Sequence, residues 1–130
     1  MRVALDTNRY SDLCRGEATA VDLVARAEAV LLPFIVVAEL RAGFGAGALA
    51  RANERTLQRF LAKPRVDVLF ATEATTHHYA TLYNQLRAQG TPIPTNDLWI
   101  AALVLENGLA LVTRDAHFER IPQIVRIDRD

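Results

Sequence analysis

Short apolar runs, separated by polar and glycine-bearing stretches, recur along the 130 residues of this chain. Residues 3–5, 30–32, 66–69 and 109–113 are rich in Val and Leu and too short for helices, so they read as buried strands. Residues 124–127 form a candidate fifth strand at a sheet edge. Between these runs the apolar spacing becomes helical. Thr7 is placed to cap a helix reaching about Arg15, with Gly16 beyond it. A second short helix covers about 18–27. Pro33 either ends a strand or begins the helix that carries Glu39, which stops in the region of Gly43, Gly45 and Gly47. Residues 48–62 show an apolar stripe of Leu49, Leu57, Phe60 and Leu61. Residues 73–89 place Tyr79, Leu82, Tyr83 and Leu86 on one helical face, stopped at Gly90. Thr95 is placed to cap a helix running to Asn107 and closed by Gly108.

Strands alternating with helices imply an α/β fold, in which right-handed crossovers build a parallel sheet of four to five strands covered on both faces. Ligands of such sheets bind beyond the carboxyl ends of the strands. Asp6 and Asp115 fall at the carboxyl ends of two predicted strands and meet if those strands are neighbours. Asp97 stands in the first turn of one predicted helix and Glu39 near the start of another. All four acids can therefore face one crevice.

Taken singly, Asp6 can be a helix cap, Asp115 a turn residue and Asp97 a partner of the helix dipole. Glu39 resists such a reading, because Phe34-Ile35-Val36-Val37-Ala38 precedes it and Leu40 follows it. Acids pressed against core-forming segments are costly unless something binds them. Four carboxylates in one pocket call for counter-charge. Oxygen-only donors select hard cations such as Mg²⁺ or Mn²⁺, which can direct water at a phosphodiester. In this reading Asp6 and Asp97 are the principal metal ligands, directly or through water. Glu39 and Asp115 hold further waters or a second ion. Thr113 and Thr7 support a ligand carboxylate, a water or the substrate phosphate.

Composition narrows the setting. The chain is long enough for one domain, and 51% of its residues are hydrophobic, which excludes a disordered chain. No apolar stretch reaches the ~18 residues of a membrane helix. The first acid, at position 6, leaves no room for the apolar region of a signal peptide. A single cysteine, Cys14, allows no intrachain disulfide and reads as a small buried residue of a cytoplasmic protein. The formal charge is zero, so the chain is no bulk polyanion binder.

The segments around the acids also carry a family resemblance. Asp6-Thr7-Asn8 after an N-terminal strand resembles the opening of PIN domains, as does the mid-chain Ala38-Glu39-Leu40. Asn96-Asp97-Leu98-Trp99-Ile100-Ala101-Ala102 is similar to the third signature. Leu111-Val112-Thr113-Arg114-Asp115-Ala116-His117-Phe118, followed by Ile121-Pro122, is similar to the fourth. Length and motif style look most like the VapC-type toxins of bacterial toxin–antitoxin pairs. The resemblance implies one PIN domain over residues 1–130, with a three-layer α/β/α architecture. It also implies a Mg²⁺- or Mn²⁺-dependent ribonuclease whose four acids map onto Asp6, Glu39, Asp97 and Asp115, with Thr113 as the hydroxyl before the fourth. RNA products with 5′-phosphate and 3′-hydroxyl ends, a cognate antitoxin that inserts a segment near the acids, and a homodimer are further implications. A PIN-fold RNA-processing nuclease and a non-catalytic partner-binding module are the alternatives. A haloacid-dehalogenase-like phosphatase needs a second Asp at position 8, where this chain has Asn.

Arg51, Arg55 and Arg59 recur every four residues and form one basic stripe, either a solvated face beside Glu54 or a contact for RNA phosphates. His77 and His78 point about 100° apart on a helix and read as a surface pair. His117 reads as structural, and Trp99 as a core residue. The run from Gly43 to Gly47 lacks the Gly-Lys-Ser/Thr ending of a phosphate loop.

Overall fold

Continuous apolar runs such as Val3-Ala4-Leu5 and Ala110-Leu111-Val112 belong to strands buried on both faces, and each of these residues is buried. A computed structural model describes residues 1–45 and 47–127. The elements follow in the order β1 (Arg2–Leu5), α1 (Thr7–Cys14), α2 (Ala18–Arg26), β2 (Ala29–Pro33), α3 (Phe34–Phe44), α4 (Ala50–Leu61) and β3 (Val66–Leu69). Then come α5 (Glu73–Gln89), α6 (Thr95–Glu106), β4 (Ala110–Val112), a 3-10 turn (Ala116–Arg120) and β5 (Val125–Ile127). The glycine run noted in the sequence includes Ala46, which lies outside the described residues, as do residues 128–130.

The five strands pair in the order β3-β2-β1-β4-β5, and every pairing is parallel. The chain moves outward from β1 to β2 and β3, then returns across the sheet to β4 and β5. Right-handed crossovers put the outward connections on one face and the returning one on the other, giving a three-layer α/β/α fold. The order reverses between β1 and β4, where Leu5 stands opposite Val112. This is the switch point at which such sheets open a crevice.

α6 is apolar nearly all round: Leu98, Ile100, Ala101, Ala102, Leu103 and Val104 are buried. A helix of that kind belongs in the interior, and its position presses Asp97 toward the sheet edge. Gly90, with φ 74 and ψ 21, supplies the left-handed residue that closes α5.

Several local expectations are corrected. Asp6, not Thr7, caps α1: its carboxylate accepts from the Arg9 N–H, and Thr7 is the first helical residue. A carboxylate satisfies the third orphan N–H of a helix at least as well as a hydroxyl does, and Asp6 is one residue earlier. Thr95 opens α6 without capping it, and Pro94 precedes it with no side-chain bond. Leu49 lies before α4 and is 70% exposed. Cys14 is exposed, because the buried face of α1 is taken by Arg9, Tyr10 and Asp12. Trp99 is half-buried, its ring against Tyr79 and Phe34. Tyr83 is the exposed margin of the α5 stripe. Among the described residues, no helix is long and apolar enough to cross a membrane.

The polar members of that α1 face make a charge cluster behind the crevice. Asp12 is buried and accepts a fork from Arg114 at 2.8 and 3.0 Å and a bond from Arg15 at 2.5 Å. The Arg114 guanidinium foremost, then Arg15, holds the Asp12 carboxyl below the ordinary carboxylate range against the opposing effect of desolvation. Asp12→Asn should therefore cost about 1.5–3 kcal/mol of unfolding free energy near neutral pH. Because the folded-state pKa is lowered, that contribution is complete above the unfolded-state value and fades as the pH falls through the folded one. Urea denaturation of both proteins across a pH series reads the difference, and a gap that persists undiminished into strong acid would contradict it.

Candidate active site

Asp6 follows the last residue of β1, and its N–H continues the ladder to the Val112 carbonyl at 3.4 Å. Its neighbour across the strand pair is Thr113. The Thr113 hydroxyl donates to Asp6 Oδ2 at 2.5 Å, while the Arg9 N–H donates to Oδ1 at 2.9 Å. Both oxygens are thus held, and the side chain is fixed in one orientation. The Asp115 N–H in turn donates to the Thr113 hydroxyl at 2.9 Å. Residue by residue, the β4 loop is strung onto the cap of α1.

Asp115 caps the 3-10 turn, accepting from the His117 N–H at 2.9 Å. Phe118 and Ile121, each 1% exposed, pin that turn to the core. The His117 imidazole Nδ1 lies 2.7 Å from Asp97 Oδ2 and 3.2 Å from Asp115 Oδ1. Glu39 stands midway along α3, farther into its helix than expected. Its carboxylate accepts from the Thr7 hydroxyl at 2.6 Å and from Asn96 Nδ2 at 3.2 Å. The four predicted acids therefore line one edge in the order Asp6, Asp115, Asp97, Glu39. Each is linked to a neighbour by Thr113, His117, Asn96 or Thr7.

The electrostatics follow this order. Burial pushes the Asp6 carboxyl above its ordinary value; Thr113 and the Arg9 N–H pull it down, Asp115 pushes it up and Arg114 pulls it down. Burial likewise raises Asp97; the His117 bond opposes this, and the charges of Asp115 and Glu39 add to the rise. Among the described residues, one group of acids and histidines is compact enough to share an ion: Asp97, Asp115 and His117, whose donor atoms all lie within 4.8 Å of one another. Asp6 and Glu39 flank this trio from either end.

Arg51, Arg55 and Arg59 are all exposed along α4, and Glu54 beside them is taken by a fork from Arg41 at 3.0 and 2.9 Å. His77 and His78 are exposed on α5. Sequence reasoning gave His117 and Asn96 no place in the site. The one available signal was the spacing Asp115-x-His117-Phe118, in which an inward Phe next to a turn-capping Asp fixes where the imidazole faces.

The PIN domain family model matches residues 3–124. The chain belongs to the PIN domain family. This PIN domain is similar to Ribonuclease VapC1 of Haemophilus influenzae (strain R2866), at 32% identity over 125 residues and 92% of each chain. Its fold is similar to that in the crystal structure of VapBC2 from Rickettsia felis bound to a DNA fragment from their promoter, with a TM-score of 0.85, 27% identity and 100% of both chains covered. It is equally similar to VapBC-1 from nontypeable Haemophilus influenzae, with a TM-score of 0.85, 28% identity and 98% coverage of each.

The Thr113 hydroxyl is the link on which Asp6 depends in this PIN domain. Thr113→Val keeps the shape and removes the donor, so it should lower stability at neutral pH by about 1–3 kcal/mol. The Asp6 pKa is raised in the folded state, so the loss should shrink as the pH falls through that value, where the protonated carboxyl no longer needs the donor. Guanidinium melts of the wild type and the variant at neutral and acid pH measure it; equal stability at neutral pH would show that the bond contributes nothing.

Proposed function

We propose that this chain, as one PIN domain over residues 1–130, is a Mg²⁺- or Mn²⁺-dependent endoribonuclease and the toxin of a toxin–antitoxin pair. The observation that carries the reading is the alignment of Asp6, Asp115, Asp97 and Glu39 along the carboxyl edge of the sheet at its switch point. Its similarity along 92% of its length to a protein named a ribonuclease, and its likeness to VapBC structures, support the same reading.

The residues present fit a hard divalent cation. The donors are mainly carboxylate oxygens, and burial leaves Asp6 and Asp97 raised despite the opposing effects of Thr113, Arg114 and His117. Asp6 and Asp97 are the principal ligands, with Asp115 and Glu39 completing the set. When bound, the cation supplies Lewis-acid charge at the scissile phosphate. The protein's own groups do the positioning. Thr113 and the Arg9 N–H lock Asp6 so that it presents one orientation. Thr7 and Asn96 hold Glu39 where it can orient an attacking water. Water adds to phosphorus, the bond to the 3′ oxygen breaks, and that oxygen takes a proton. The products carry 5′-phosphate and 3′-hydroxyl ends.

The partner that restrains this activity is a cognate antitoxin in the cytoplasm. An apolar helix docked beside the crevice supplies most of its affinity, and an Arg or Lys reaches the carboxylates, since an exposed ion pair adds only about 0–1 kcal/mol. The toxin itself is a homodimer in this reading.

Asp6→Asn, Glu39→Gln, Asp97→Asn and Asp115→Asn should each cut Mn²⁺-supported RNA cleavage by about 100-fold or more while circular dichroism stays native. Full activity in purified Asp6→Asn protein, free of contaminating nuclease, would overturn the mechanism. The Arg51, Arg55 and Arg59 stripe is read as a backbone contact for RNA. Replacing all three with Gln should flatten the log–log salt dependence of RNA binding by about 0.7 for each lost phosphate contact. An unchanged slope would assign the stripe to solvent.

A further inference from the structure

The acids of the proposed site share their edge with one nitrogen donor. His117 presents Nδ1 between two carboxylates, 2.7 Å from Asp97 Oδ2 and 3.2 Å from Asp115 Oδ1. Neighbouring donors on a cation bound at ~2.1–2.2 Å stand about 3 Å apart. The two observed separations straddle that spacing, and the donor atoms of all three groups lie within 4.8 Å of one another, so a cation can join them by drawing the two carboxylates together. The imidazole is not carried on a free arm. The backbone N–H of His117 is tied to Asp115 at 2.9 Å, and the next residue, Phe118, is 1% exposed. With a side chain 37% exposed, the ring also borders solvent, from which an ion must enter.

We infer that His117 is a nitrogen ligand of the cation in this site, which makes the centre a mixed nitrogen–oxygen site that prefers Mn²⁺ to Mg²⁺. The inference rests on the metal-dependent reading above. A purely carboxylate set holds both ions through oxygen. Adding an imidazole favours the later divalent metals, because nitrogen donors bind Mn²⁺ and its heavier neighbours better than they bind Mg²⁺. A histidine serving only as an ion-pair partner of Asp97 would leave the bound ion with an all-oxygen shell.

Electron spin-echo envelope modulation of the Mn²⁺-loaded protein separates the two cases without reference to activity. The chain has three histidines, so a His77→Ala/His78→Ala background leaves His117 alone. One equivalent of Mn²⁺ in that protein should show ¹⁴N coupling, replaced by ¹⁵N coupling when histidine is labelled. Both should vanish in His117→Ala and in His117→Gln. Calorimetry should show Mn²⁺ affinity falling about tenfold or more in either variant, with a smaller change for Mg²⁺. Tightly bound Mn²⁺ without nitrogen coupling in the single-histidine protein would overturn the inference and leave the carboxylate site standing. Failure of the wild type to bind Mn²⁺ at all would overturn both.

Discussion

The carboxylate of Asp6 accepts hydrogen bonds from both sides of the sheet's switch point, from the Arg9 N–H at the start of α1 and from the Thr113 hydroxyl beyond β4. One side chain is at once a helix cap, a bridge between neighbouring strand ends and a buried negative charge. The rest of the functional edge hangs from it. Thr113, held by Asp6, accepts the Asp115 N–H; Asp115, held by its turn, fixes His117; and His117 reaches Asp97. The first contact is the one that ties the β4 loop to the cap of α1, while the 3-10 turn beyond it is also pinned by Phe118 and Ile121.

Like charges crowded along one edge would ordinarily recruit a nearby guanidinium. Arg114 lies in the sequence between Thr113 and Asp115, yet its fork is spent on Asp12, one and a half turns into α1. Arg9 also directs its guanidinium toward Asp12 and Glu17, while its backbone N–H donates to Asp6. The links among the site acids are instead hydroxyls, an amide and an imidazole. The guanidinium forks of this region are thus directed at Asp12 and Glu17, and the acids along the edge are linked to one another by neutral donors and an imidazole.

Most of the architecture was legible because it depends on burial. Strand runs such as Val66–Leu69 and the long α5 pattern appear where expected, since period and length are direct imprints of what faces the core. The four acids stood out because each interrupts or ends such a run. The misplacements are local competitions that periodicity does not register. Asp6 and Thr7 are adjacent and both able to cap, and the hydroxyl of Thr7 was needed by Glu39 from a different helix. Cys14 faces outward because two charged residues occupy the buried side of α1, a pattern that resembles a solvent face when read without the partner Arg114. His117 was passed over because its partner Asp97 is twenty residues away in the chain. No local spacing connects a 3-10 turn to the first turn of a preceding helix.

The central position of β1 has a consequence for how the molecule comes into being. The first strand synthesised lies between β2 and β4, and the bond from Thr113 to Asp6 spans 107 residues. Such distant closures are slow and come late in folding. On the ribosome, β1, β2 and β3 can associate while α6 and β4 are still being made, but the β1 edge next to Asp6 stays open until β4 arrives. A nascent chain that stops before β4 carries Asp6 and Glu39 without Thr113 or Asp115. The edge that carries the four acids is therefore completed only when the last third of the chain has been made.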